Sequence, residues 1–312
     1  MIAYYLYKTW EKCIFFSFFL LAACLALPWL APARAAEPSP PLSLPLPSSQ
    51  PGQPVLAQAL RAFSTAPDAQ PPKPWRAVGL PQGKAPLTRM DITVLDGERV
   101  LRLATDKSYG TLSHALPAMA LSPQATLRWK WRLERGLPGA DLRRKEGDDS
   151  PLRVCALFDL PLDNLGLMER TVMRIARSAS GEALPAATLC YVWDQHLPTG
   201  TLLPNPYTRR VRFIVLNSGD ALAGTWVTHE RRLAADFLRA FKSDLGGDPA
   251  TAPPAGGDTP ASPARDPAQN APRDTSRDTA RVPPLVAIVL GADSDNTGGA
   301  SLSYIGDVVL LP

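Results

Sequence analysis

Between residues 126 and 133 the chain alternates Leu127, Trp129 and Trp131 with Arg128, Lys130 and Arg132. Hydrophobicity with a period of two, large apolar side chains on one side and cations on the other, describes an extended strand with one face buried and the other wet. Other strands surround it in the sequence. Residues 90–95 and 99–104 flank Asp96-Gly97, a pair suited to a two-residue hairpin turn. Residues 152–159, 188–193, 210–217, 225–229, 285–290 and 302–311 read as further strands. Two helices interrupt them. Leu165, Met168, Val172 and Ile175 recur at helical spacing, and Leu233, Phe237 and Phe241 mark a shorter segment. Many strands with few helices predict an all-β, antiparallel β-sandwich of jelly-roll type with one or two peripheral helices.

The N-terminus reads as a targeting segment. Lys8 and Lys12 precede an apolar run over residues 14–27, and Ala33-Arg34-Ala35 is a small-residue cleavage signal. The run is shorter than the roughly 20 residues of a spanning helix, and Pro28 and Pro32 break it, so no transmembrane helix is expected in the mature chain. Leu21-Ala22-Ala23-Cys24 also has the form of a lipobox, which makes a lipoprotein anchored through Cys24 the alternative to a periplasmic or secreted protein. The expected layout is therefore a signal peptide at 1–35, a Pro-rich disordered leader at 36–74 and a β-sandwich domain at 75–312. A low-complexity insert of Pro, Ala, Gly, Asp and Arg interrupts that domain at 248–281, with too few apolar residues to fold. The net charge is +4, and the signal peptide removes three basic residues and one acidic one from it. That balance gives no reason to expect a nucleic-acid partner. Cys155 and Cys190 remain, each inside an apolar strand-like run. They are expected as small buried hydrophobes, although an oxidising compartment would also allow them to pair.

Residues 286–307 concentrate the oxygen-bearing side chains. An apolar strand runs into Asp293, Asp295, Asn296 and Thr297, then two glycines, then a strand leading to Asp307. The DxDxT pattern at Asp293 is that of haloacid-dehalogenase phosphatases, but only fifteen residues follow Thr297 and they supply no further βα units. An EF-hand counted from Asp293 fails at position twelve, where Tyr304 stands in place of a bidentate Glu. A looser calcium site built from Asp293, Asp295, Asn296 and Asp307 stays open, beside the plainer reading that these groups cap backbone in a Gly-rich turn. Asp148 and Asp149, with Arg153 close by, form a second acidic spot at a strand entrance. They are a ligand or metal site, a salt bridge or a solvated turn. Trp193 is a candidate sugar platform, though aromatics on strands, Trp226 among them, are more often core. His114, His196 and His229 show no metal-ligand spacing. A nucleophile elbow and a phosphate loop are both absent, so no catalytic residue is assigned.

Several blocks in order carry a resemblance. They are LRWKWRLE at 127–134, GDDSPLRVCALFD at 147–159, ATLCYVWD at 187–194, GTWVTHERRLAADFLRAF at 224–241, and ADSDNTGG with YIGDVVL near the end. Together they resemble the bacterial family known as domain of unknown function three-zero-four-seven, from about Trp75 to the end without the insert. The resemblance implies a shared sandwich and an envelope setting, and it assigns no catalytic residue.

Three functions follow as expectations. The first is a non-enzymatic binding module for a glycan or envelope polymer, with calcium as its one possible cofactor. The second is an envelope glycan hydrolase using Asp148, Asp149, Asp293 and Asp295. The third is a scaffold for envelope proteins, with the leader and insert as tethers.

Overall fold

The structure, a computed structural model, describes residues 60–80, 83–161, 170–171, 186–245 and 282–312. The expected signal peptide, Cys24, most of the leader, the helical stripe from Leu165 to Ile175 and the insert at 248–281 lie outside the described residues.

Two sheets pack face to face. The first has the order β1 (Arg76–Val78), β4 (Tyr109–Met119), β11 (Leu285–Asp293), β6 (Arg153–Phe158), β7 (Ala187–Asp194), β9 (Val211–Ser218) and β8 (Leu202–Pro204). The second has the order β10 (Val227–Arg232), β5 (Thr126–Arg135), β12 (Ala300–Ile305), β3 (Glu98–Asp106) and β2 (Arg89–Leu95). β13 (Val309–Leu311) pairs with β5 below β12, because the chain breaks at Gly306-Asp307 and the expected single strand at 302–311 becomes two. Among these strands only β7 and β9 pair in parallel; every other pairing is antiparallel.

Local chemistry explains the clearest elements. Asp96 and Gly97 both take positive φ (52° and 80°), the conformation that a two-residue hairpin turn between β2 and β3 requires. On β5, Leu127, Trp129, Trp131 and Leu133 are buried. Trp129 meets Tyr191 at 5.2 Å between centroids and Trp131 meets Trp193 at 6.1 Å, so aromatics of both sheets fill the middle of the sandwich. β6 and β7 are buried along their whole length, because the first sheet is covered on both faces. That double burial is why RVCALF and ATLCYVWD read as apolar runs rather than alternations. The helix α1 (Leu233–Leu245) closes one end of the core, with Phe237 against Phe158 at 4.4 Å.

Three sequence expectations need correcting. Cys155 and Cys190 are direct cross-strand partners on β6 and β7 and form a disulfide; each looked like a lone buried hydrophobe because register is not visible in a strand's sequence. Residues 60–74 belong to the expected leader, yet Leu60, Phe63 and Ala66 are buried in the core. Phe63 lies 5.2 Å from Trp75, and Ala69 O accepts the Ile92 N–H at the edge of β2. The strand β4, flanked by β1 and β11, has no clear alternation in the sequence. Its Pro117 falls where the register against β11 shifts between Leu285 and Ala287, a place where a strand tolerates a missing N–H. No helix among the described residues is long and apolar enough to cross a membrane.

Candidate functional site

The acidic residues meet at one end of the sandwich, where β11 ends and β6 begins. Asp293, the last residue of β11, donates its N–H to Ser150 O (3.0 Å) and accepts the Ser150 N–H on Oδ1 (2.8 Å). Its Oδ2 takes Arg153 Nη2 at 2.6 Å in a pair withdrawn from water. Asp149 caps the next turn. One of its oxygens accepts the Thr297 N–H (2.6 Å) and hydroxyl (2.7 Å), and the other accepts the Asn296 N–H and Nδ2, both at 3.2 Å. Asp148 receives Asn205 Nδ2 on both oxygens at 3.1 Å, while its carbonyl accepts Asn296 Nδ2 at 2.8 Å. Ser303 on β12 adds a hydroxyl bond to Pro151 O (2.8 Å), which ties the second sheet to the same junction. Gly298 closes the turn at a φ of 68°, a conformation that glycine takes without strain.

The electrostatics follow from burial. Desolvation pushes the Asp293 carboxyl up to about 7; Arg153 pulls against that, and the carboxylates of Asp149 and Asp295 add to it. Asp148 is raised well above the usual carboxylate range, first by burial and then by Asp293, with Asn205 opposing. Oxygens of Asp149, Asp293 and Asp295 all lie within 4.8 Å of one another. An all-oxygen set of this kind suits a hard cation such as calcium. It does not suit glycoside hydrolysis. Asp148, Asp149 and Asp293 are at most 1% exposed, so a glycosidic bond cannot be placed between them.

The predicted residues therefore divide. Asp148, Asp149, Arg153, Asp293 and Asn296 are brought together with Asp295, but as a buried junction rather than an open ligand site. Trp193 is corrected outright. It is fully buried in the core with its indole N–H on Gly219 O (2.9 Å), so it offers no face to a sugar. Asp307 does not join the carboxylate cluster. It caps residue 64, taking the Ser64 N–H at 2.9 Å and its hydroxyl at 2.5 Å.

Asp307 instead lines an open groove of about 220 Å³ on the outer face of the second sheet. Glu98 and Arg99 from the β2–β3 hairpin, Arg128 and Lys130 of β5, and Thr228 of β10 line it too. Beside it stands Trp226, half-buried. Lys130 Nζ sits 5.0 Å from its ring centroid, and its Nε1 donates to Asp96 Oδ2 at 2.9 Å. Arg132 holds the same Asp96 oxygen at 3.2 Å, so the indole is braced from two sides. As an aromatic on a strand, Trp226 is expected in the core. The parity of the strand carries the signal: Thr228, Glu230 and Arg232 share the parity of Trp226 and are exposed, which puts position 226 on the wet side.

Fold and site define a two-sheet β-sandwich with a buried acidic junction at one end and an open polar groove on one outer face. Residues 73–252 match the family described as Protein of unknown function (DUF3047), and the chain belongs to that family. The match stops before the Asp293 turn, so the last blocks of the resemblance lie beyond it. No curated protein matches the chain in sequence. Among solved structures it is similar to the Spr0440 glycoside hydrolase domain of Endo-D from Streptococcus pneumoniae R6 (TM-score 0.28, 9% identity), over 76% of this chain and 21% of that one. The chain thus spans about a fifth of that structure's length. It is also similar to a family 11 carbohydrate-binding module from Clostridium thermocellum, solved with a β-1,3-1,4-mixed-linked tetrasaccharide (TM-score 0.34, 9% identity, 81% of this chain and 93% of that one). A third is TmCBM61 in complex with β-1,4-galactotriose (TM-score 0.28, 9% identity, 81% and 99%). Likeness at this level says nothing about what the chain binds.

Proposed function

We propose that the protein is an exported, non-enzymatic β-sandwich that holds a glycan or similar envelope polymer in the groove on the outer face of its second sheet. The observation that carries this reading is Trp226: an indole braced in place by Lys130 and Asp96 at the side of a polar groove. A fixed aromatic with hydroxyl, carboxylate and guanidinium groups around it is the combination a pyranose needs, an apolar face to stack on and donors and acceptors for its rim. The acidic junction then serves as a brace for the loop end, with calcium as the cation its oxygens suit.

The test is a glycan-panel titration of the purified protein up to millimolar concentration, followed by heteronuclear NMR. Binding is expected to move the indole N–H signal of Trp226, and Trp226→Ala should abolish it while the protein stays folded, its melting temperature lowered by only a few degrees through loss of the contacts to Lys130 and Asp96. Binding that survives Trp226→Ala, or no binding to any glycan, overturns the reading.

A further inference from the structure

The groove reading rests on shape and on Trp226; its charges say more. Building on that reading, we infer that the ligand is an anionic glycan, a sugar polymer bearing carboxylates, rather than a neutral one. Two carboxylates line the groove, one ion-paired and the other only hydrogen-bonded, and against them stand the three cations Arg99, Arg128 and Lys130, so the groove is net positive. Glu98 Oε2 accepts Lys130 Nζ at 2.6 Å, and Asp307 accepts Ser64 through both oxygens. The two guanidiniums are not neutralised. Arg99 and Arg128 are exposed, and among the described residues neither has a carboxylate in salt-bridge range. The hydrogen bond Arg99 does make goes to the carbonyl of Asp68, at 3.5 Å. Glu230 stands directly across from Arg128 on β10 and still does not reach it.

This contrasts with the rest of the same face. Arg102 is paired with Asp91, and Arg132 with Asp96 and Glu134. Pairing lapses at Arg99 and Arg128 in the groove and at Arg232 of β10, also exposed, which shares the outward parity of Thr228. A guanidinium receives a carboxylate through two parallel N–H donors, a geometry that a neutral hydroxyl cannot use. Trp226 lies four positions along the sheet from Glu230, the residue that faces Arg128, roughly 13 Å away, so an oligomer with one ring on Trp226 and the acid group of a neighbouring uronate at Arg128 uses both features.

The experiment is calorimetric titration of the full protein with oligogalacturonate and oligomannuronate, against neutral galactose and mannose oligomers of the same length, at low and high salt. The expected result is binding of an acidic oligomer that weakens with salt and falls about tenfold in Arg128→Gln, the loss of a charge-assisted contact. Trp226→Ala should remove it altogether. Neutral oligomers binding as tightly, indifferent to Arg128→Gln but lost in Trp226→Ala, would overturn the inference and leave the groove reading standing. Binding by neither class of oligomer removes both.

Discussion

Thr297 gives both its backbone N–H and its hydroxyl to one oxygen of Asp149, at 2.6 and 2.7 Å, across 148 residues of sequence. Four donors in all converge on this buried carboxylate, and with it the loop entering β6 and the turn leaving β11 are fastened into one unit. Asp149→Ala is therefore expected to act on stability. It leaves the half-buried Asn296 and Thr297 N–H groups without their acceptor, a loss of about 2 kcal/mol. Urea unfolding of the variant beside the parent checks this. An unchanged midpoint would mean that the junction holds together without Asp149.

Calcium is the second question at this junction. If the oxygens of Asp149, Asp293 and Asp295 hold a cation, moving the protein from excess EDTA into calcium should raise its melting temperature. At ~100 times the dissociation constant the stabilisation is about 2.7 kcal/mol. The rise should vanish in Asp293→Asn and Asp295→Asn and persist in Asp307→Asn, whose carboxylate lies in the groove. A melt indifferent to calcium leaves these acids as turn caps alone.

His229 sets a pH dependence of definite sign. It lies between Trp129 and Trp131, and its Nε2 meets Asn217 Oδ1 at 2.8 Å; the same oxygen takes the Trp131 indole N–H. Burial, then Arg231, lowers its pKa to about 4. The folded state thus binds the proton less tightly than the unfolded chain, so this group's stabilisation is present above pH ~6.5 and is lost on acidification towards 4. Asp293, raised to about 7, runs the other way: its contribution is full below the unfolded value and is lost as pH rises through 7. The two slopes oppose each other in the parent. His229→Gln should remove one of them, so the variant gains on the parent by up to about 1.4 kcal/mol per pH unit between 6.5 and 4. Denaturant melts across that range measure it, and a constant difference would show that His229 is not held neutral.

What the sequence reveals depends on how local the cause is. Asp96-Gly97 announces the hairpin because a two-residue turn is decided by two residues, and β5 shows itself because its two faces meet different solvents. The strand β4 hides because Gly110 and Pro117 interrupt its pattern while its partners excuse them. At the candidate site the residue types were legible and their partners were not. Asp148 and Asp149 meet Asn296 and Asp293 only through the register of β6 on β11. Asp307 looked like part of the Asp293 turn by its proximity in sequence, yet β12 carries it to the far side of the second sheet. Trp193 and Trp226 look alike in sequence; the first lies in a sheet covered on both faces and the second beside an edge strand that alternates.

The cross-strand disulfide yields the last prediction. Cys155 and Cys190 face each other on β6 and β7, on the outer side of the first sheet, and close a loop of 35 residues. In the unfolded chain that link removes conformations which the reduced chain would otherwise explore, a stabilisation of roughly 2–4 kcal/mol. Replacing both cysteines with serine forfeits it and also places two hydroxyls in an apolar layer beside Leu157 and Val192. The Cys155→Ala, Cys190→Ala pair separates the two effects, since it loses the link without burying a hydroxyl. The alanine pair is expected to unfold about 3 kcal/mol sooner than the oxidised parent and to match the parent unfolded under reducing conditions. A stability equal to that of the oxidised parent would mean the link adds nothing to the sheet that carries it.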